Sequence, residues 1–168
     1  SRQGDILTIR PIRPEDEPLM VKFHQNLSEE SVYLRYAHTV KLKQRIAHER
    51  LTRICFIDYD REMLLVADRK DPQTLEHEIL AVARLSKLHG TNEAEFALIV
   101  GDRYHNQGLG TELLRRLIEV GKEEKLDAIV GYILTSNYQM QSLCRKLGFE
   151  FQPDRETGML KAIFVQVP

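Results

Sequence analysis

The sequence predicts a single α/β domain, a mixed sheet with helices early in the chain and in the middle of the sheet. Three observations carry that expectation. The chain has 168 residues, 42% hydrophobic and 29% charged, which suffices for one domain with a real core and is short for two. Its second half alternates strand-like apolar runs with segments of helical period, as layered α/β domains do. Finally, a glycine pair, Gly108 and Gly110, opens a helix just behind the apolar run FALIV.

Residues 5–12, DILTIRPI, alternate apolar and polar and predict a strand. RPEDEPLMVKFHQNL follows as a helix, with Pro14 pre-set for its first turn and Glu15, Asp16 and Glu17 at its positive end. Ser28 with Glu29 and Glu30 signals a second helical start running through SVYLRYA, and KLKQRIAHERLTRI repeats leucine and isoleucine at roughly helical spacing. REMLLVADR and HEILAVARL then predict two strands joined by the turn-rich KDPQTLE, with a third, EAEFALIV, after the turn HGTN. The helix behind the glycines carries Leu109, Leu113, Leu114, Leu117 and Ile118 on one face. DAIVGYIL is a near-continuous apolar run, as in a buried strand. SNYQMQSLCRKLG is a further helix, in which Ser136 and Gln139 fit a capping box and Gly148 with Phe149 a left-handed C-terminal cap. MLKAIFVQV closes the chain as a strand. Repeats, low-complexity tracts and linkers are absent from the sequence.

Composition excludes several functions. The net charge is −1, whereas a nucleic-acid binder is expected to carry a basic excess. HERLT at 48–52 and HEILA at 77–81 both lack the second histidine of a zinc-binding H-E-x-x-H, so no metal site is expected. Cys55 and Cys144 lie far apart without ligand spacing, which predicts reduced thiols in a cytoplasmic protein. No apolar run reaches membrane-spanning length, so no membrane partner is expected.

The glycine loop is the motif with chemistry in it. A strand, a short turn, two glycines and a helix N-terminus suit a phosphate group, because free backbone amides and the helix dipole converge there. A nucleotide-binding Walker loop is ruled out, since Thr111 and Glu112 follow Gly110 where Lys-Ser/Thr is required. A dinucleotide fingerprint is ruled out by Leu113, where a third glycine is required. On its own the glycine pair fits a plain structural turn at least as well.

The run EFALIVGDRYHNQGLGTELLRRLIEVGKEEKLDAIVGYILTSNYQMQSLCRKLGF resembles, along its whole length, the core of the GNAT N-acetyltransferase superfamily. Leu98 to Val100, Gly108 to Gly110, Asn137 and Lys146 to Phe149 match that core in order and spacing. The resemblance implies a mixed, mostly antiparallel sheet of about six to seven strands flanked by helices, with acetyl-CoA as co-substrate. It implies cofactor-binding roles for Leu98, Ile99, Val100, His105, Asn106, Gln107, Gly108, Leu109, Gly110, Thr111 and Asn137. One departure is visible: His105 stands where the family usually has Gln or Arg. The backbone donors of the loop are expected to preserve CoA binding regardless.

A closer resemblance covers the first half. IRPIRPEDEPLMVKFHQNLSEESVYLRY and ERLTRICFIDYDREMLLVA look like the GNAT domains of bacterial protein lysine acetyltransferases that modify acyl-CoA synthetases. It implies a protein substrate, an acyl-CoA synthetase. It also implies that residues 1–168 are one GNAT domain taken from the C-terminal end of a larger chain, in keeping with a start without methionine.

The expected chemistry follows from the acceptor. A lysine amine has a pKa near ~10.4, so at neutral pH on the order of one in a thousand is free, and a base that removes the proton is worth about 4 kcal/mol. Glu95 is the candidate general base: it is flanked by Ala94, Phe96 and Ala97, and the resemblance favours this role over a solvent-facing strand-entry glutamate. Glu93, nearer the turn, is expected to be mostly solvated. Asp58 and Asp60 are expected in a surface turn, and Arg45, Arg50 and Arg53 on a solvated helix face. The family often places a tyrosine acid on the last helix; Cys144 aligns there, and a buried thiol without a partner base is expected. Two alternatives to protein lysine acetylation stand at this point, a small-amine acetyltransferase using the same site and a non-catalytic acyl-CoA-sensing domain.

Overall fold

Among the described residues seven strands form one sheet: β1 (Ile6–Pro11), β2 (Glu62–Lys70), β3 (His77–Lys87), β4 (Glu93–Val100), β5 (Ala128–Ile133), β6 (Glu150–Pro153) and β7 (Leu160–Val165). Their spatial order is β1-β2-β3-β4-β5-β7-β6, and every pairing is antiparallel except β4 with β5. Four helices that lie wholly among the described residues flank it, α1 (Glu17–Gln25), α2 (Glu29–Tyr36), α3 (Leu109–Glu123) and α4 (Tyr138–Leu147). The computed structural model describes residues 4–36, 47, 51, 55, 61–105 and 107–167. Most of the expected third helical segment, with Arg45, Arg50 and Arg53, lies outside the described residues, as do Asp58, Asp60 and Asn106.

The two faces of the sheet carry separate cores. On one, Leu113, Leu114 and Leu117 of α3 are wholly buried against Ala83, Leu85, Phe96 and Leu98, and Cys144 of α4 joins them. Burial of leucines to this degree contributes roughly 1.5–3 kcal/mol each. On the other, Met20 and Phe23 of α1 meet Leu64, Val66, Val82 and Ile99, together with Leu51 and Cys55. Strand alternation therefore turns Glu95, Ala97 and Ile99 of β4 towards the α1 side and Phe96 and Leu98 towards α3.

Three local features depart from expectation. The first helix is a 3₁₀ turn, Pro14–Asp16, before α1 begins. The Asp16 carboxylate accepts from the Arg13 amide at 2.7 Å and so holds that turn tight. The cap of α4 is Asn137 rather than Ser136: its side chain accepts from the Met140 amide at 3.2 Å. The start is shifted because buried Gln141 donates to the carbonyls of Leu134 and Thr135 and anchors the preceding loop. The third is β6, a four-residue edge strand ending on Pro153 that pairs with β7. At the other end of α4, the Phe149 amide reaches the Cys144 carbonyl at 3.0 Å and the Gly148 amide that of Arg145 at 3.1 Å. With Gly148 at φ 98°, this is the expected left-handed cap. Among the described residues no helix is long and apolar enough to cross a membrane.

Candidate active site

The site begins where two strands part. β4 and β5 pair over Glu93↔Ala128, Ala94↔Ile129 and Glu95↔Val130, although β4 runs on to Val100 and β5 to Ile133. Beyond Glu95 the sheet is forked. Phe96 packs over Gly131 at the fork, where a Cβ would collide with its ring, and Phe149 meets Phe96 edge-on at 5.3 Å between ring centroids. A cavity of about 810 Å³ opens from the fork, bounded by β4, the glycine loop, α2 and α4. That volume falls in the range of about 300–1,000 Å³ usual for small-molecule sites.

The free edge of β4 supplies backbone donors. The Gly101 amide donates to the Leu80 carbonyl on β3 at 2.8 Å. By strand alternation the amides of Ile99 and Ala97 also turn to β3, and those of Leu98 and Val100 turn into the fork. His105 explains itself here: its Nε2–H donates to the Val100 carbonyl at 2.9 Å, satisfying an edge acceptor that has no ladder partner in the fork.

The two glycines are glycines for different reasons. Gly108, the residue before α3, sits at φ 81°, and a Cβ on it would meet nothing within 4 Å. It needs the left-handed conformation and faces open cavity. Gly110 also lines the cavity, but its bare Cα is demanded by packing: a Cβ would lie 2.8 Å from Leu143 of α4. The first helical bond of α3 runs from the Glu112 amide to the Gly108 carbonyl, and among the described residues no side chain caps the turn. The amides of the first turn are therefore available to an anion, reinforced by the dipole of a 15-residue helix. Should the loop hold the diphosphate of acetyl-CoA, as the resemblance implies, Gly108→Val is expected to remove most of the resulting stabilisation, roughly 2.7 kcal/mol at a hundred times the dissociation constant. Thermal unfolding with and without ligand reads it, and an undiminished shift would place the phosphates elsewhere.

The remaining expected residues divide. Leu98, Ile99, Val100, His105, Leu109, Thr111 and Asn137 line the cavity, although the Leu109 side chain is buried in the core and the Asn137 oxygen is committed to capping α4. Gln107 is not part of the wall, because its side-chain amide turns back to donate to the Arg103 carbonyl at 3.3 Å. Glu95 lines the cavity, half-buried, at the last paired position before the fork. Cys144 does not: it is fully buried in the α3-side core, and burial pushes its thiol up to about 12.

Several wall residues were not singled out from the sequence. Arg84 and Ser86 stand beside Glu95 on the same sheet face, Ser86 directly opposite it, and both donate to Glu62, at 2.6 and 3.2 Å. Two polar residues at alternate positions in the otherwise apolar ILAVARLS, residues 79–86, were the available signal. Tyr104 also borders the cavity, with its hydroxyl donating to Glu78 at 3.2 Å. Burial, and then the charge of Glu78, raise its pKa above the ordinary phenol value. Ser31, Leu34, Arg35 and Tyr36 of α2 close the opposite side. Among the described residues no three His, Cys, Asp or Glu side chains are grouped to hold a metal.

Comparison with known proteins finds the same fold and a family. The family model described as an acetyltransferase (GNAT) domain matches residues 7–150. An acetyltransferase of Pseudomonas aeruginosa, PA5475, is 27% identical over 159 residues, covering 94% of this chain and 83% of that protein. Acetyltransferase Pat of Mycolicibacterium smegmatis is 26% identical over 148 residues, 88% of this chain, which spans 42% of Pat. The GNAT domain of S. lividans PAT has the same fold, with a TM-score of 0.83 at 22% identity over 97% of this chain and 96% of that one. So does the PaiA N-acetyltransferase of Thermoplasma acidophilum, solved in complex with coenzyme A, with a TM-score of 0.74 at 15% identity over 96% and 99% of the two chains.

Proposed function

The chain belongs to the GNAT acetyltransferase family, and from that premise we propose that it transfers an acetyl group from acetyl-CoA to a lysine on a folded protein, an acyl-CoA synthetase being the favoured acceptor. One observation carries the chemistry: a carboxylate, Glu95, stands at the mouth of a fork whose far end is the left-handed Gly108 and the uncapped N-terminus of α3.

The residues fit acetyl-CoA as the acyl donor, which brings an acetyl group already activated as a thioester. The amides before and within the first turn of α3 hold the diphosphate, with Gly108 leaving room for it. The pantetheine arm lies along the free edge of β4, where the Leu98 and Val100 amides face it. An amide of that edge polarises the thioester carbonyl and stabilises the oxyanion that develops there. The acceptor amine enters from the α2 side, the face that Glu95 shares. Glu95 takes one proton from the lysine ammonium as the freed nitrogen bonds to the carbonyl carbon; the carbon–sulfur bond then breaks, and the departing thiolate takes up the second proton that nitrogen releases on becoming an amide. A thiol ionises near ~8.5, so its thiolate leaves far more readily than an amine or alkoxide, and the absence of Cys144 from the cavity wall is tolerable.

The protein acceptor is supported by the similarity to Pat and to the S. lividans PAT domain. It is also supported by the wall that α2 makes, a short charged helix rather than an acidic cage for a polyamine. A folded partner supplies remote contacts that hold one lysine against the thioester, which lowers the entropic part of the barrier. The test is a side-by-side assay of an acyl-CoA synthetase, its unfolded peptide and spermidine at matched amine concentration. The folded synthetase is expected to show by far the highest kcat/KM. Equal rates for spermidine would replace this reading with a small-amine acetyltransferase.

A further inference from the structure

We propose that Asp102 is a positioning residue that couples the two halves of the site, so that filling the donor half organises the acceptor half. The assignment of the halves rests on the acetyl-transfer reading above; the linkage itself rests on geometry. Asp102 directly follows Gly101 at the end of β4 and opens the 3₁₀ turn Asp102–Tyr104, from which the chain continues to Gly108. Its Oδ1 accepts from the Ser28 amide at 3.2 Å and from the Ser31 hydroxyl at 3.1 Å. The Ser28 hydroxyl in turn accepts from the Ser31 amide at 3.1 Å and caps α2. One carboxylate oxygen in the donor loop therefore holds the first turn of a helix more than 70 residues away in sequence.

That helix depends on such anchoring. α2 has eight residues, and a helix of that length is not stable by itself in water, so tertiary contacts fix its position. Ser31, which the carboxylate grips, and Leu34 and Arg35, three and four residues on, line the cavity. Movement at Asp102 is thus movement of the acceptor wall. The other end of the loop is also tied, since His105 donates to the Val100 carbonyl. Burial works to raise the Asp102 pKa, but hydrogen bonds from Ser28 and Ser31, with the charge of His105, hold it below the ordinary carboxylate value. Both bonds to α2 are accordingly charge-assisted at neutral pH. A ligand that fixes the loop at Gly108 fixes Asp102, and through it α2; by linkage, an acceptor that fixes α2 tightens CoA by the same factor.

The test needs CoA alone, so it does not depend on the identity of the acceptor. Amide hydrogen exchange is followed over Glu29–Tyr36, with and without saturating CoA, in the wild type, Asp102→Ala and Ser31→Ala, alongside calorimetric CoA affinities. In the wild type CoA should slow exchange in α2 by about fivefold or more, the lower end of usual coupling. Asp102→Ala should lose that slowing and lose CoA affinity by no more than the same factor, about fivefold, and Ser31→Ala, which removes one of the two bonds, should keep part of the slowing. Equal protection in Asp102→Ala and wild type would overturn the coupling, because direct contact with CoA would then account for it. So would a loss of CoA affinity in Asp102→Ala far larger than the coupling factor read from exchange, because reciprocity limits the coupling's share to that factor and the excess would make Asp102 part of the donor site. Failure of the wild type to bind CoA would overturn the acetyl-transfer reading and this coupling with it.

Discussion

Glu95→Gln is expected to bind acetyl-CoA as tightly as the wild type and to lose turnover by about a hundredfold or more. Glutamine keeps the shape and hydrogen-bonding reach of the side chain but cannot accept the amine's proton. The donor site should not register the change, since Gly108 and the amides of α3 lie at the other end of the fork. Without a base, only the free amine reacts, so the variant's rate should climb about tenfold per pH unit towards the lysine pKa of ~10.4. Cys144→Ala is the matched comparison and should keep its turnover, because that thiol is buried in the core with its pKa pushed up to about 12. Rate measurements across pH on the three proteins decide it. An active Glu95→Gln beside a dead Cys144→Ala would invert the assignment and bring in a thiol relay. A Glu95→Gln indistinguishable from wild type would leave Glu95 as a strand-entry glutamate.

What the sequence made legible was whatever depends on local pattern. EAEFALIV is β4 residue for residue, and the leucine stripe of the glycine-loop helix is the buried face of α3. The short strand β6 escaped because four residues ending in proline have no usable period, and only β7, several residues on, makes them a strand. Ser136 and Asn137 are both good caps by residue type, and Gln141 decides between them from within the fold. The fork was invisible for a stronger reason. It is the end of a parallel pairing between strands separated by a whole helix, and no local signal says at which residue two such strands part. His105 shows the same limit. As a departure from a motif it looked like a lost side-chain contact, whereas the fold gives it an edge carbonyl to satisfy.

The largest stability effect is expected from a residue that belongs to neither core nor cavity. Arg10 of β1 donates to both oxygens of Asp16, at 2.7 and 2.8 Å, and through Nε to Asp68 at 3.2 Å. Asp68 also accepts from His77 Nδ1 at 2.8 Å, so the network ties three strands to the turn that starts α1. Asp16 and Asp68 are 2% and 4% exposed. Arg10→Met leaves two buried carboxylates without their guanidinium, a loss of the kind that costs about 3–5 kcal/mol. For a chain of this size that lowers the melting temperature by on the order of 10 °C. The pH dependence follows from Asp16. In the wild type burial raises its pKa, but hydrogen bonds from Arg10 and the Arg13 amide outweigh burial and set it below the ordinary value. Its ionised form therefore stabilises the fold above about pH 3.9, and that contribution disappears as pH falls through the lowered folded value. In Arg10→Met the burial remains without the guanidinium, so the folded pKa should rise above the unfolded one. The variant then binds more protons folded than unfolded, and its stability should increase as pH falls towards 4, about where a free aspartate titrates. The gap between the two proteins should thus be widest at neutral pH and narrow on acidification, as read by urea unfolding at both ends. A gap under about 1 kcal/mol at neutral pH, or one that fails to narrow, would mean that the network is no more than a solvated surface ion pair.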